Sequence, residues 1–163
     1  MYSDSKESYF LKIIITLIAI SLAIMQGLSM YSNFSQKKSL AYEVMQMSES
    51  KNYVSDNVLI ESKLKDNDSK YIQKFGNTIN ISNAFLNGAP NKVEDISNAG
   101  GSIKHISSNV DNAIIYLFPY KKSKLYNEYV TDVIEETYIP FMWGCVISGI
   151  KKAQLPEGCY IIE

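Results

Sequence analysis

The sequence predicts an α+β protein: an N-terminal transmembrane helix continuing into a long amphipathic helix, followed by a small antiparallel sheet with one packed helix. Three observations predict it. From Tyr9 to Tyr31 the chain reads YFLKIIITLIAISLAIMQGLSMY, with Lys12 as its one charge. After Gly27 no glycine occurs until Gly76 and no proline until Pro90, so nothing breaks the helix that leaves this stretch. Beyond Gly76 the texture changes to short alternating or apolar runs separated by Gly, Pro, Asn and Ser, which mark strands and turns.

The first element is a membrane anchor. A bilayer core of ~30 Å crossed at ~1.5 Å per residue needs about 20 mostly apolar residues. Tyr9–Tyr31 meets that length, and its heart, Ile13 to Met25, holds no charge, Gly or Pro. Tyr9, Phe10 and Tyr31 place aromatic rings at the two ends, where the headgroup layer favours them. Lys12 is close enough to the near end to snorkel. The alternative is a cleavable signal peptide, with Lys6 and Lys12 in its n-region, Ile13–Met25 as its h-region and Gly27-Leu28-Ser29 as a small-x-small site. The apolar character runs on past Ser29 without a break, which favours a retained anchor. Charge leaves orientation open, because Lys6 and Lys12 precede the span and Lys37 and Lys38 follow it.

Between Tyr31 and Val54, Tyr31, Phe34, Ala41, Val44, Met45 and Met47 recur at three- and four-residue spacing, which predicts one apolar helix face. A helix unbroken from Tyr9 to Tyr53 is a rod of roughly 65 Å, with Ser55-Asp56-Asn57 as a possible interruption. A second helical pattern runs through Val58, Leu59, Leu64, Tyr71, Ile72 and Phe75 and ends at Gly76, a natural C-cap. Thr78–Ile81 alternates as a short strand. Asn87–Gly101, rich in Asn, Gly, Pro and Ser, is expected to be a surface loop. Ser102–Ile106 and Asn112–Phe118 read as strands joined by a hairpin turn at Ser107–Asn109, the second so apolar that it is expected to be central and to end at Pro119. Ser123–Tyr138 reads as the packed helix, with Ser123 as N-cap. Phe141–Ser148 and Cys159–Ile162 read as strands. The expected organisation is a cytoplasmic tail over residues 1–8, the span over 9–31, a helical stalk over 32–75 and a periplasmic domain over 76–163.

Composition narrows function. With 46% hydrophobic and 12% aromatic residues, the part beyond the anchor is able to build a core. Net charge is −1 and no basic face is evident, which argues against a nucleic-acid partner. All sixteen basic residues are lysines. Arginine is the preferred bidentate reader of phosphate, so its absence argues against a nucleotide enzyme. The same bias accompanies abundant Asn, Ile and Ser, as skewed codon usage would produce. The two cysteines, Cys145 and Cys159, lie close together near the end of the chain. An even pair beyond an anchor predicts a disulfide closing a short loop, and hence an oxidising compartment. Two separate buried thiols are the alternative; a metal site is disfavoured by a single histidine and no CxxC.

No self-sufficient catalytic motif stands out, and no cofactor site is expected. His105 has no nucleophile elbow near it and reads as an ordinary histidine. Asp132, Glu135 and Glu136 read as a solvated helix face, and Lys121, Lys122 and Lys124 as a solvated turn. Trp143, beside Cys145, reads first as core against the disulfide. Twelve tyrosines, with abundant Asn and Ser, favour adaptable protein contacts. Tyr116, Tyr126 and Trp143 are weak interaction candidates. The expected partners are the lipid bilayer, other protein subunits and further copies of the chain.

An apolar helix passing into an amphipathic one, then a small sheet and a C-terminal cysteine loop, resembles type IV pilins and pseudopilins. Ser8 stands where prepilin processing needs glycine, and the apolar stretch carries Lys12 and no acid, so the processing motif is missing. Gly76-Asn77-Thr78-Ile79 leading to Leu86, Ile115–Phe118, the Ser123 helix, Trp143-Gly144-x-Val146-x-x-Gly149 and Leu155-Pro156 are similar to PilM-type accessory proteins of conjugative type IVb pilus systems. That resemblance implies an uncleaved anchor, an exported domain and a part in pilus assembly at the bacterial inner membrane, with no catalytic residue.

Overall fold

The computed structural model of the chain describes residues 4–59, 71–81, 86–87, 90–121 and 141–162. It is α+β, as the sequence predicts. A helix, α1 (Asp4–Gln46), passes through Met47 into α2 (Ser48–Val54) and then into a π-helical turn, Ser55–Leu59. The passage does not interrupt hydrogen bonding. Met47 N–H donates to Glu43 O (3.1 Å) and Lys51 N–H to Met47 O (3.0 Å), both at i−4 spacing. Ser55–Asn57 therefore widens the helix rather than breaking it. At ~1.5 Å per residue the rod from Asp4 to Leu59 is roughly 80 Å long.

The remaining elements are β1 (Tyr71–Lys74), β2 (Asn77–Asn80), β3 (Leu86–Asn87), α3 (Val93–Asn98), β4 (Ile103–Ile106), β5 (Ile114–Lys121) and β6 (Phe141–Ser148), with a 3₁₀ turn at Lys152–Gln154. Among the described residues the strands form one six-stranded, mainly antiparallel sheet. Its order is β1-β2-β4-β5-β6, with short β3 alongside β5 in parallel just beyond the end of β4. β5 is central, as its apolar run predicts. It alternates between two apolar clusters, because both of its faces are covered. Ile115 and Leu117 point toward the helix and pack with Leu40, Met47, Val54, Ile79, Ile103 and Ile147. Tyr116 and Phe118 point the other way, onto Ile96 and Val146.

Several local expectations are corrected. The segment Tyr71–Phe75 is not helical: Tyr71–Lys74 is a strand, so the helical stalk does not extend to residue 75. Gly76 caps no helix. It forms with Phe75 the two-residue turn of the β1–β2 hairpin, and both residues have positive φ (74° and 53°). That is the conformation of a type I′ turn, and the same left-handed glycine serves a helix end or a hairpin. Asn87–Gly101 is not all loop. Val93 and Ile96, three apart, give α3 a single apolar side, and Ile96 is fully buried against the far face of the sheet. Pro119 does not end β5. It lies between the Ile103↔Leu117 pair, where β4 finishes, and the Leu86↔Tyr120 pair, where β3 begins, and β6 carries the strand past it through Pro119↔Trp143. Cys159–Ile162 contributes one bridge, Val146↔Tyr160, rather than a strand. The predicted helix Ser123–Tyr138 lies outside the described residues.

The apolar helix face is also rotated from the sequence reading. Tyr31, Phe34 and Met45 are exposed, whereas Leu40, Glu43, Met47, Ser50 and Val54 are buried at alternating three- and four-residue steps. Two of those five positions are polar, which hid the stripe from a search for hydrophobic periodicity.

The sheet leaves no room at Gly144. It pairs with Phe118, and a Cβ there would stand 2.6 Å from Phe118 Cε2. Gly144→Ala is expected to force the fully buried Phe118 ring aside and to cost about 1–3 kcal/mol. Chemical denaturation of the detergent-solubilised protein checks this.

Candidate functional site

Two features of the structure bear on function. The first is the N-terminal half of the long helix. The segment Tyr9–Asn57 is long and apolar enough to cross a membrane, its most apolar window has a mean hydropathy of 2.2, and none of that window is buried within the protein. Tyr9, Lys12, Ile13, Met25 and Tyr31 all lie exposed on it. The two hydroxyl groups of its heart, Ile13–Met25, are satisfied inside the helix. Thr16 donates to Lys12 O and Ser21 to Leu17 O, each at 2.9 Å. In hydrocarbon no water would accept those protons, so internal pairing suits them to lipid.

The second feature is a polar relay where the helix meets the sheet. Glu43 is 2% exposed, held there because its position on the rod faces the turn between β4 and β5. Its Oε1 accepts from Ser108 N–H (3.2 Å), Ser108 Oγ (3.3 Å) and Asn109 Nδ2 (2.6 Å). The predicted hairpin turn thus becomes an anion cradle for a carboxylate from the helix. Glu43 Oε2 has no hydrogen-bond partner and lies 3.9 Å from His105 Nε2. His105 Nδ1 is 2.8 Å from Asn77 Oδ1. Asn77 Nδ2 in turn donates to Ser50 Oγ (2.8 Å) and to the Phe75 carbonyl (3.1 Å).

The chain of contacts assigns the protons. The Phe75 carbonyl only accepts, so Asn77 must face it with its amino group and face His105 with its carbonyl oxygen. His105 therefore donates from Nδ1, which leaves Nε2 toward Glu43. When His105 is protonated, Nε2–H points at a buried carboxylate oxygen that lacks a partner. Burial pushes the Glu43 carboxyl up, but hydrogen bonds from the Ser107–Asn109 turn and the charge of His105 outweigh it and hold the group below its ordinary value. Ser50 is fully buried and its hydroxyl is engaged by Asn77. The relay is thus built to tie the helix to β2, β4 and the β4–β5 turn at one axial position.

His105 is a half-buried histidine whose Nδ1 is held by Asn77. Glu43, Ser50 and Asn77 were outside the sequence-predicted set; the signal that would have found the first two was the 3-4-3-4 spacing of Leu40, Glu43, Met47, Ser50 and Val54. Cys145 and Cys159 are joined as a disulfide, with Cα atoms 4.5 Å apart. It ties β6 to the segment whose Tyr160 N–H donates to Cys145 O (3.0 Å). Trp143 is half-buried on the helix side, with Lys51 Nζ 5.4 Å from its ring centroid. Tyr116 is 5% exposed and packs the sheet instead of presenting a contact surface. Tyr126, Asp132, Glu135 and Glu136, with Lys122 and Lys124, lie outside the described residues. Among the described residues no cluster of three or more His, Cys, Asp or Glu is arranged to hold a metal ion.

No family model, curated protein or solved structure matches this chain.

The relay gives a pH signature. Because the folded pKa of Glu43 is lowered, its contribution to stability is complete above the ordinary carboxylate range. It fades as pH falls through the lowered folded value. Glu43→Gln is expected to flatten this acid limb, and to lower stability at neutral pH by about 1–3 kcal/mol through donors left poorly paired. Thermal unfolding in detergent, from neutral pH to about pH 3, reads both effects.

Proposed function

We propose that the protein is a non-enzymatic, membrane-anchored assembly component of a type IV pilus or related secretion or conjugation machine. It sits in the bacterial inner membrane, with its sheet domain in the periplasm. The observation that carries this reading is the uninterrupted helix. Its first half is apolar and exposed, and its second half is the inner wall of the folded domain. A domain mounted this way has no flexible joint between bilayer and sheet. Its position over the membrane is set by the anchor, as a scaffold requires. The Cys145–Cys159 disulfide supports an oxidising compartment for the domain.

A second reading is favoured by the same helix: a minor pilin or pseudopilin that enters a filament without processing. A helix half bare and half packed under an antiparallel sheet suits lateral stacking of copies as well as it suits lipid. The two readings differ in where the helix resides. Detection in sheared, membrane-free filaments supports the filament subunit, and exclusive retention in membranes supports the scaffold. A third reading, secretion after signal cleavage, fails if N-terminal sequencing of the mature protein finds Tyr9–Ser29 intact.

Pull-down from solubilised membranes is expected to recover pilus or secretion subunits; a protein recovered alone and monomeric refutes the assignment. A five-residue Gly-Ser insertion after Ser32 tests the mounting itself. Membrane extraction and the disulfide should be unchanged, while co-purified subunits are lost because the domain no longer stands at a fixed height and angle.

A further inference from the structure

We propose that Lys37, Lys38, Lys151 and Lys152 form a basic collar that seats the domain on anionic phospholipid headgroups of the bilayer its helix crosses. This rests on the anchor reading above. It goes beyond that reading by assigning a lipid-binding surface to the folded domain.

Height along the helix is the first argument. Tyr31 ends the apolar stretch and marks the headgroup layer. Gln36 follows by five residues and Lys38 by seven, so at ~1.5 Å per residue they stand roughly 7 and 10 Å further out. That is close to one Debye length from the phosphates, about 8 Å at physiological salt, and a lysine stem reaches back toward them.

The second argument is that the fold brings a distant pair of lysines to the same height. The 3₁₀ turn Lys152–Gln154 packs directly on α1. Gln154 Nε2 donates to Gln36 Oε1, and Lys151 N–H donates to Gln154 Oε1 at 2.6 Å. These two bonds pin the turn to the helix one and a half turns beyond Tyr31. Lys151 and Lys152 remain exposed there, and among the described residues neither is held in an ion pair.

The third argument is the shape between them. Lys37 and Lys38 border an open groove of about 330 Å³ whose walls include Phe34, Ala41, Val44 and Pro156. Of these, Phe34 lies one helical turn nearer the bilayer than the two ammonium groups, which matches a phospholipid with its phosphate on the lysines and its glycerol and first methylenes against the ring. Glu157 also lines the groove and opposes one of the charges. The groove itself carries two lysines against that one carboxylate, a positive balance in a chain whose net charge is −1. Phe34, 65% exposed to water in the isolated chain, is covered in this arrangement.

The full-length protein is reconstituted in nanodiscs of phosphatidylcholine alone or with phosphatidylglycerol, and hydrogen exchange is followed over residues 149–158. The expected result is exchange at least several-fold slower with phosphatidylglycerol. That difference should disappear on raising salt and in the variant K37Q/K38Q/K151Q/K152Q. Lys51→Gln, about 30 Å out on the same rod, should leave it unchanged. Non-reducing mass spectrometry of the Cys145–Cys159 bond and the exchange of β5 amides report that the variant is folded. Equal exchange in the two discs, with the helix inserted, overturns the collar and leaves the anchor standing. A chain that does not enter discs of either composition overturns both.

Discussion

Backbone hydrogen bonding that closes within the helix from Asp4 to Leu59 lets one segment meet two different surroundings. Along its first half none of the described residues covers the apolar side chains, and the backbone needs no outside partner. Along its second half the same rod supplies Leu40, Met47 and Val54 to the core beneath the sheet. The inner face of β2, β4, β5 and β6 has that helix as its cover. Removing the rod would expose Ile79, Ile103, Ile115 and Ile147 together. The fold of the domain and its attachment are therefore one physical fact.

Apolar contacts alone would let the helix slide or turn beneath the sheet, because they are nondirectional. The Glu43 relay removes that freedom. A buried carboxylate must find its donors, and those donors belong to the Ser107–Asn109 turn. His105, Asn77 and Ser50 extend the constraint along the rod to the Phe75-Gly76 hairpin. One register satisfies the network.

The C-terminal segment completes the arrangement from the opposite direction. The disulfide and the Tyr160 bridge hold it on β6, and Gln154 returns it to Gln36 on the helix. Gln154 and Pro156 thus lie beside the point where the helix leaves its apolar stretch. Gln36 and Gln154, more than a hundred positions apart, share that level.

Much of the architecture was legible in the residues themselves. The apolar run Tyr9–Tyr31, its breaker-free continuation through Val54, the apolar β5 and the cysteine pair each act through local chemistry, and each forms the feature it predicts. What failed was of a different kind. Gly76 was read as a helix cap because a left-handed glycine serves a hairpin equally well, and only the pairing of β1 with β2 distinguishes them. Ile96 was passed over in a polar stretch because one buried side chain on six residues is too little periodicity to see. Glu43 and Ser50 hid the true buried face, since an apolar search rejects polar positions. By itself the sequence determined that a helix would run from a bilayer-compatible segment into an α+β domain, because length, hydropathy and backbone propensity are local properties. The tertiary structure decided which side of that helix is buried, which turn cradles its carboxylate and which lysines stand together. Those depend on the sheet placing distant side chains within a few ångströms, and no spacing along the chain encodes that distance.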